Sequence, residues 1–292
     1  MDALTEFSAA ARTVFGRLGE AVVSIGRDGR GSGVVVAPGK VLTNAHNLQD
    51  RTTQIAFADG RAEQGTLSAS DPDGDLVVLD VDTGTTAAIV WAEAAPEAGD
   101  VVFSVSRGGH RARVSFGMIS SVDVGFQGPR GREITGGVEH TATMARGASG
   151  SPLADAQGRV LGINTHRSGR GFYVARPSDA ALRTTVDNLV AGTSVTRPRL
   201  GVALAPPEVA AKLRASVGLP PREGLLVRGV EDDAPAAKAG IAAGDLLVQA
   251  DNTPLTSIEA LASALASGNG TVSLTVLRGT EERAVTVAYG AS

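Results

Sequence analysis

The chemistry in this sequence centres on three residues of different types, His46, Asp75 and Ser149. His46 ends the segment 42–46 (Leu-Thr-Asn-Ala-His), and Asp75 opens the apolar segment 75–79. A histidine can take the proton of a serine hydroxyl that attacks a carbonyl carbon and then return it to the leaving group. A carboxylate can hold that imidazole in the required tautomer and stabilise its protonated form. These residues predict acyl transfer with Ser149 as nucleophile, His46 as base and Asp75 as the orienting acid.

The segment 146–150 (Arg-Gly-Ala-Ser-Gly) fits an exposed nucleophile. Its glycines allow a tight turn, and the N–H groups of Gly147 and Ser149 can then bind the oxyanion of a tetrahedral intermediate. Each signal also has an ordinary explanation. A histidine at a strand end commonly packs or lies at the surface, an aspartate there is typical of a turn, and a Gly-rich segment can be a plain turn. The three together, in this order, favour catalysis.

Short β-strands must position these residues. Within residues 20–192, runs rich in β-branched residues alternate over 21–175 with turn signals such as Pro38-Gly39 and Asp59-Gly60, with no helices between them, and a helix is predicted to follow over 178–190. This pattern predicts a mainly β fold of two antiparallel barrels. His46 and Asp75 belong to its first half and Ser149 to its second.

The remaining segments differ in character. Apolar residues at helical spacing predict a helical arm over 1–19, whose Phe7 and Phe15 either pack on their own domain or dock on a neighbouring subunit. The polar segment 193–199 is the predicted linker. Residues 200–292 mix short strands and helices and predict a separate small α+β domain.

Composition excludes several classes of function. The net charge of -4 argues against a large nucleic-acid-binding surface, and no apolar run is long enough to span a bilayer. The chain has no cysteine and no histidine cluster with zinc-like spacing, so we expect neither metal nor cofactor. Residues 1–19 lack the features of a signal peptide. With Met1 as the native start, this predicts a cytoplasmic protein; a trimmed N-terminus would allow the cell envelope.

The motifs together resemble HtrA-type serine proteases. Residues 31–35 (Gly-Ser-Gly-Val-Val) and 42–46 are similar to the entry to their active site, 75–79 to their aspartate strand and 146–150 to their nucleophile loop. Residues 234–241 and 244–247 resemble a PDZ domain. The resemblance implies a chymotrypsin-like two-barrel protease domain followed by a PDZ domain.

The same resemblance implies the remaining sites. Thr143 is expected near the base of the primary specificity pocket, and Asn164, Thr165 and His166 are expected to form its wall. Since Thr143 is not a carboxylate, a small or aliphatic side chain is expected before the scissile bond. The loop at 199–202 would capture a peptide C-terminal carboxylate through its backbone N–H groups, while the adjoining strand pairs with the peptide. The residues expected to form that groove are Leu200, Gly201, Val202 and Leu265.

Three positions depart from the family pattern. Ala148 replaces the usual asparagine before the serine, and Ser151 replaces a second glycine after it. Trypsin relatives carry an aspartate at the position of Ala148 that pairs with a newly cut N-terminus, and alanine excludes that ion pair. The segment 104–110 replaces the Gly-Asn-Pro-Phe-Gly-like loop. These departures leave the predicted triad intact but bear on the oxyanion hole and on loop-based activation.

The function implied by the resemblance is endopeptidase activity on unfolded or damaged proteins. The PDZ domain would bind peptide C-termini or regulate activity, and family members commonly form homotrimers. Neither nucleic acid nor membrane is an expected partner. Two alternatives stay open: a pseudoprotease that binds clients without cutting them, and an acyl hydrolase that uses the same triad on esters.

Overall fold

The computed structural model describes residues 2–108, 111–128, 133–195 and 198–290. Met1, on which the cytoplasmic prediction depends, lies outside them, as do Thr196 and Arg197 of the predicted linker and the last two residues of the segment 104–110. The chain divides into two compact units, Met1–Val195 and Thr196–Ser292. Predicted linker residues Ser194 and Val195 bond to Ser70 and so belong with the first unit.

Six strands form a first closed barrel, in the order β1-β2-β3-β6-β5-β4. Its strands are β1 (Val22–Ile25), β2 (Gly31–Ala37), β3 (Lys40–Thr43), β4 (Thr52–Ala56), β5 (Ala62–Asp71) and β6 (Leu76–Asp80). Every pairing between them is antiparallel. The β-branched residues that predicted strands fill the interior; among them Val23, Val35 and Val41 are fully buried.

Six more strands close a second antiparallel barrel, in the order β10-β11-β12-β9-β8-β7. They are β7 (Val101–Gly108), β8 (Arg111–Gln127), β9 (Glu133–His140), β10 (Pro152–Ala154), β11 (Val160–Gly169) and β12 (Phe172–Pro177). The predicted mainly β, two-barrel fold is confirmed. Closure matters for the site because it leaves the loops between strands, rather than sheet edges, to carry polar groups.

Two helices pack on the barrels, α1 (Ala3–Leu18) and α2 (Ala180–Val190). Helix α1 buries Val14 and Leu18 in a core cluster that it shares with the barrel strands. Phe7 lies in ring contact with Phe103 and Phe116 of the same unit, at centroid distances of 5.6 and 4.7 Å. This favours packing of Phe7 on its own domain over docking on a neighbour.

The second unit is built on one antiparallel sheet in the order β13-β14-β15-β17-β18, with β16 paired to β15. Its strands are β13 (Val202–Ala205), β14 (Leu225–Val230), β15 (Leu246–Ala250), β16 (Thr253–Pro254), β17 (Thr271–Arg278) and β18 (Glu281–Ala288). Its helices are α3 (Pro207–Ser216), α4 (Pro235–Lys238) and α5 (Ile258–Ser267). Strand β13 therefore lies at an edge of the sheet. Among all the described residues of the chain, no helix is both long and apolar enough to cross a membrane.

Candidate active site

The first barrel brings His46 and Asp75 together. Strand β3 ends at Thr43, and a single 3₁₀ turn, Ala45–Asn47, carries His46 away from the strand end. Asp75 immediately precedes β6, the strand that pairs with β3. His46 Nδ1 lies 2.7 Å from Asp75 Oδ2, and the backbone N–H of His46 donates to Oδ1 at 3.0 Å. The carboxylate therefore holds both the ring and the backbone of the histidine.

Asp75 is buried and fully hydrogen-bonded. Its side chain is 2% exposed, whereas that of His46 is 34% exposed. A third donor, Thr165 Oγ1, approaches Oδ2 at 3.0 Å. A buried carboxylate needs such donors to offset its lost hydration. Because an ionised carboxylate only accepts hydrogen bonds, the proton of neutral His46 lies on Nδ1, which leaves Nε2 free to act as a base.

Ser149 reaches the same point from the second barrel. Its hydroxyl donates to the carbonyl oxygen of Thr165 at 3.1 Å. Thr165 thus contacts Asp75 through its side chain and Ser149 through its backbone. In this conformation the Ser149 hydroxyl has no other acceptor among the described residues. Proton transfer to His46 Nε2 requires it to leave Thr165 by rotation about one side-chain bond, and such contacts commonly tighten only when substrate is bound.

The segment before Ser149 is a type II turn. The N–H of Ala148 donates to the carbonyl of Ala145 at 3.1 Å, and Gly147 has φ +81° while Arg146 has a negative φ. A positive φ at the third residue alone identifies type II and explains the glycine. A Cβ at Gly147 would also lie 2.3 Å from the carbonyl oxygen of Gly29. The turn is therefore specific for glycine on two grounds.

Hydrogen bonds hold alternate peptide groups of this loop. The 147–148 peptide donates to Ala145 and accepts from Ser32 Oγ at 2.8 Å. The 149–150 peptide donates to the carbonyl of Asn164 and accepts from Ser32 N and Asn47 Nδ2, at 2.8 and 2.9 Å. The N–H groups of Gly147 and Ser149, which lie on either side of the 147–148 peptide, have no acceptor in the described part of the protein. They are the two donors expected to bind an oxyanion.

Gly147→Ala is expected to lower kcat by about 10²–10³-fold, the cost of losing one oxyanion donor. The new Cβ cannot fit beside Gly29, so the turn must change and its N–H must move. The measurement is kcat and KM on a peptide substrate. Gly60→Ala is the matched control, because Gly60 also has a positive φ but open space around it. Equal kcat values in the two variants would exclude Gly147 as a donor.

The predicted pocket residues separate in the structure. Thr143 is exposed, and its carbonyl accepts from Ser115 Oγ at 2.7 Å. His166 is also exposed and stacks on Phe126. Asn164 is fully buried, so its side chain does not fit the predicted wall. Thr165 is buried, and its hydroxyl donates to the carboxylate of Asp75, so its side chain does not line an open pocket.

The two departures in the nucleophile loop both face inward. Ala148 is 1% exposed and packs with Met144 and Tyr173 in a small apolar cluster. Ser151 is fully buried, and its Oγ accepts from Asn164 Nδ2 at 2.9 Å. Since neither side chain contacts the Gly147 or Ser149 N–H groups, neither departure blocks the candidate oxyanion hole.

Beneath this loop lies a buried polar network centred on Asn164. Its amide donates to the hydroxyls of Ser104 and Ser151, and its Oδ1 lies 2.9 Å from His140 Nε2. Burial lowers the pKa of His140 to about 4, and only the hydrogen bond to Asn164 opposes this. His140 is therefore neutral at pH 7, with its proton on Nε2 facing the amide oxygen.

Acid is expected to destabilise the first unit through His140. Its pKa is about 4 when folded and about 6.5 when unfolded, so the unfolded state binds the proton more tightly. The stabilisation is complete above pH 6.5 and is lost as the pH falls towards 4, by about 3 kcal/mol in total. Urea unfolding at pH 7 and pH 4 should show this loss in wild type but not in His140→Gln. His166→Gln, an exposed control, should behave as wild type; identical pH dependence in all three proteins would contradict the assignment.

The second unit has a narrow groove between β13 and α5. It has a volume of about 160 Å³ and is lined by Arg199, Leu200, Gly201, Val202, Leu204, Glu231, Ile258, Leu261 and Ala262. The N–H groups of Leu200 and Gly201 have no acceptor among the described residues. An edge strand with free N–H groups at its start can pair with an extended peptide and hold its carboxylate.

Leu265 lies elsewhere. It is 5% exposed in the core of the second unit, and its carbonyl accepts from Tyr289. Leu261, one helical turn earlier, lines the groove in its place, together with Ile258. The apolar spacing along α5 identified the face of the helix that is buried, but not which turn of that face lies beside β13.

The sequence reasoning also missed Ser32 and Asn47 as residues of the site. Both are buried, and both hold the nucleophile loop. Their only local signals were a polar residue between two glycines and an amide next to His46. No group of three or more histidine or acidic side chains that could hold a metal occurs in the described ranges.

Two family models match the chain. The trypsin-like peptidase domain matches residues 31–163, and the PDZ domain matches residues 226–278. A probable periplasmic serine endoprotease DegP-like of Brucella suis biovar 1 is 34% identical over 233 residues, which are 75% of this chain and 44% of that protein. Serine endoprotease DegS of Escherichia coli K12 is 31% identical over 240 residues, 78% of this chain and 66% of that protein. The chain thus spans about half the length of the curated relatives it matches.

Solved structures show the same architecture across nearly the whole chain. The HtrA-type protease AlgW with a decapeptide has a TM-score of 0.67 and 25% identity, covering 97% of this chain and 98% of its own. The serine endoprotease from Yersinia pestis has a TM-score of 0.67 and 26% identity, with the same coverage.

The prediction of a cytoplasmic protein is wrong. Relatives from Brucella, Halomonas and Bartonella are named periplasmic serine endoproteases, which points to the cell envelope. That prediction depended on Met1 as the native start and on composition, and composition alone does not define a compartment. The two family matches and the shared architecture lead to one conclusion: the chain belongs to the HtrA-type trypsin-like serine proteases that carry a PDZ domain.

Proposed function

We propose that this protein is a serine endopeptidase that cleaves unfolded or damaged proteins through an acyl-enzyme, as part of protein quality control. The observation that carries the proposal is the continuous contact of Ser149, Thr165, Asp75 and His46, beside two peptide N–H groups with no acceptor among the described residues. Ester hydrolysis needs the same groups, but the PDZ domain and the endoprotease relatives favour peptide and protein substrates.

The reaction follows from the roles of these groups. As Ser149 Oγ bonds to the scissile carbonyl carbon, its proton passes to His46 Nε2, and the N–H groups of Gly147 and Ser149 hold the oxyanion. His46 then gives the proton to the leaving amine as the C–N bond breaks. Water repeats the sequence on the acyl-enzyme and releases the acid. Asp75 stays ionised and stabilises the imidazolium, and acid–base help of this kind contributes about 10²–10⁴-fold.

We also propose a preference for a small or aliphatic side chain before the scissile bond. Thr143 has no negative charge, and two apolar residues of the segment that follows it, Met144 and Ala148, pack with Tyr173. Asn164 is left out of this pocket because its side chain is fully buried. A panel of peptides that differ only at this residue would test the preference, and a faster cleavage after arginine or lysine would contradict it.

The first experiment is labelling with a fluorophosphonate probe, run in parallel with casein digestion. We expect one phosphonyl group per active chain, located on Ser149 by peptide mass spectrometry, and release of casein fragments. Labelling with ester cleavage but no casein digestion, even with C-terminal peptides added, would support the acyl hydrolase. An unlabelled protein under the same conditions would support the pseudoprotease.

We propose that residues 20–192 and 200–292 act as protease and peptide-binding domains, joined by the part of the segment 193–199 that follows Val195. The PDZ groove would bind the C-terminus of a partner chain, with its carboxylate at Leu200 and Gly201 and its last side chain near Leu261 and Ile258. A fluorescent peptide with an apolar C-terminal residue should bind, and the same peptide with an amidated C-terminus should not. Equal affinity for the two would contradict carboxylate capture.

A homotrimer is proposed on the basis of one exposed apolar row. Val114, Phe116 and Met118 alternate along β8 and are 39%, 59% and 53% exposed. Phe15 is also exposed, whereas Phe7 packs beneath Phe116. Exposed apolar rows of this kind commonly mark protein–protein contacts. Light scattering after gel filtration should give three times the 29.5 kDa chain mass, and Phe116→Ser should lower it.

A further inference from the structure

Ser32 connects the first barrel to the oxyanion turn. It lies on β2, is fully buried, and its Oγ is 2.8 Å from the carbonyl oxygen of Gly147 and 3.4 Å from that of Arg107. The N–H of Arg107 approaches the same Oγ at 3.1 Å. A hydroxyl has one proton, and the shorter contact decides where it goes. Ser32 therefore donates to Gly147 and accepts from Arg107.

Arg107 is itself held by the segment that follows α1. Its side chain is buried, with Nε donating to the carbonyl of Val22 at 2.7 Å and Nη2 donating to that of Gly19. Gly19 ends α1, where carbonyl oxygens carry partial negative charge and favour a cation. A buried guanidinium with several acceptors has little freedom to move, so the backbone N–H of Arg107 is also fixed.

These contacts form one chain of hydrogen bonds from the end of α1 to the nucleophile loop. It runs from Gly19 and Val22 through Arg107 and Ser32 to Gly147. The peptide group that Ser32 holds lies between the two N–H groups that have no acceptor. Its orientation decides whether those N–H groups converge on one point. In trypsin relatives an ion pair at the position of Ala148 supports this loop, and alanine has no charge to offer.

We propose that Ser32 is a positioning residue for the oxyanion hole and that Arg107 keeps its hydroxyl directed at Gly147. The inference rests on the proposed protease function and adds to it a support for the loop that lies outside the triad. It also predicts that catalysis depends on the segment between α1 and β1, which contacts no catalytic residue directly.

Ser32→Ala removes the hydroxyl and leaves the backbone bond from Ser32 N to Ser149 in place. We expect kcat to fall about 10- to 100-fold, less than the loss of a whole oxyanion donor, with KM unchanged. A peptide aldehyde gives an independent readout. As Ser149 Oγ bonds to the aldehyde carbon, its proton passes to His46 Nε2, the carbonyl π bond opens, and the aldehyde oxygen enters the hole as an oxyanion. Its inhibition constant should rise by the same factor as kcat falls.

The matched control is Thr83→Val, which removes a buried hydroxyl that accepts from Gly39 N at 2.9 Å in the same barrel. It should lower thermal stability without changing kcat or aldehyde binding. Ser32→Cys keeps a weak donor of similar size, so its kcat and its affinity for the aldehyde should lie between those of Ser32→Ala and wild type. Rates are normalised to the fraction of chains that react with the fluorophosphonate, so partial unfolding does not count as lost catalysis.

A double-mutant cycle tests the role of Arg107. If Arg107→Met acts through Ser32, the double variant should be no slower than Ser32→Ala alone. If the losses of kcat in the two single variants add in the double variant, Arg107 does not act through Ser32. Wild-type kcat and aldehyde binding in Ser32→Ala would overturn it entirely while leaving the protease assignment intact. An unreactive wild-type protein would instead refute the proposed function.

Discussion

Replacing Ser149 by alanine is expected to lower kcat by about 10⁶-fold and to abolish fluorophosphonate labelling, because the variant lacks the hydroxyl that forms the acyl-enzyme. The hydroxyl is half-buried, and its one hydrogen bond within the described ranges goes to the carbonyl of Thr165. Its removal should cost about 1 kcal/mol of stability or less, so the variant should fold. The measurement is kcat on a peptide substrate together with labelling at equal protein concentration.

Ser151→Ala is the matched control for this result. Ser151 lies two residues further along the same loop but faces inward, towards Asn164 and Ser104. Its loss leaves a buried amide less well satisfied, so stability should fall by about 1–3 kcal/mol while labelling persists. Labelling that survives in Ser149→Ala and disappears in Ser151→Ala would identify Ser151 as the nucleophile and contradict the assignment of Ser149.

Asp75→Asn is expected to lower kcat by about 10⁴-fold with little change in KM. Asparagine presents an NH₂ group as well as an oxygen, and an NH₂ facing Nδ1 stabilises the tautomer that has no free base at Nε2. The backbone at Asp75 has φ +57°, a conformation that asparagine tolerates. The variant therefore isolates the charge and the tautomer from backbone strain.

A second buried aspartate nearby provides the comparison. Asp71 is 3% exposed and accepts from Gly74 N at 3.0 Å, with Arg176 at 3.8 Å, but it does not contact His46. Asp71→Asn should reduce the free energy of unfolding and leave kcat within a few-fold of wild type. Two variants with equal kcat would show that Asp75 is a structural carboxylate only.

Features that depend on a short stretch of sequence, such as a strand end or a tight turn, were predictable from the sequence. The segment 42–46 follows an apolar strand, and 75–79 opens another, so the order of residues already placed His46 and Asp75 on adjacent loops of one barrel. The glycines around Ser149 indicated a tight turn, and its type II geometry agrees with that expectation. In the second unit, the segment 234–241 resembled part of a PDZ domain, and the short helix α4 lies within it.

Contacts between distant segments were not predictable in this way. Asn164 was expected to line a pocket, yet it is the centre of a buried network with His140, Ser104 and Ser151. A period of two along a strand shows that side chains alternate between faces, but not which face meets which neighbour. The same limitation explains Leu265, which lies on the predicted apolar face of α5 but away from the groove.

The sequence by itself determined the chemistry available to this protein: the residue types of a triad, their order, and strands short enough to close two barrels. These depend on local patterns of polarity and backbone preference. Tertiary structure alone decided what holds the chemistry in place. Ser32 bonds to Arg107, which is 75 positions away in the sequence, and to Gly147, which is 115 positions away. Closure of the two barrels brings them together, because burial of the apolar strands removes water as a partner and leaves these polar groups to hydrogen-bond within the protein.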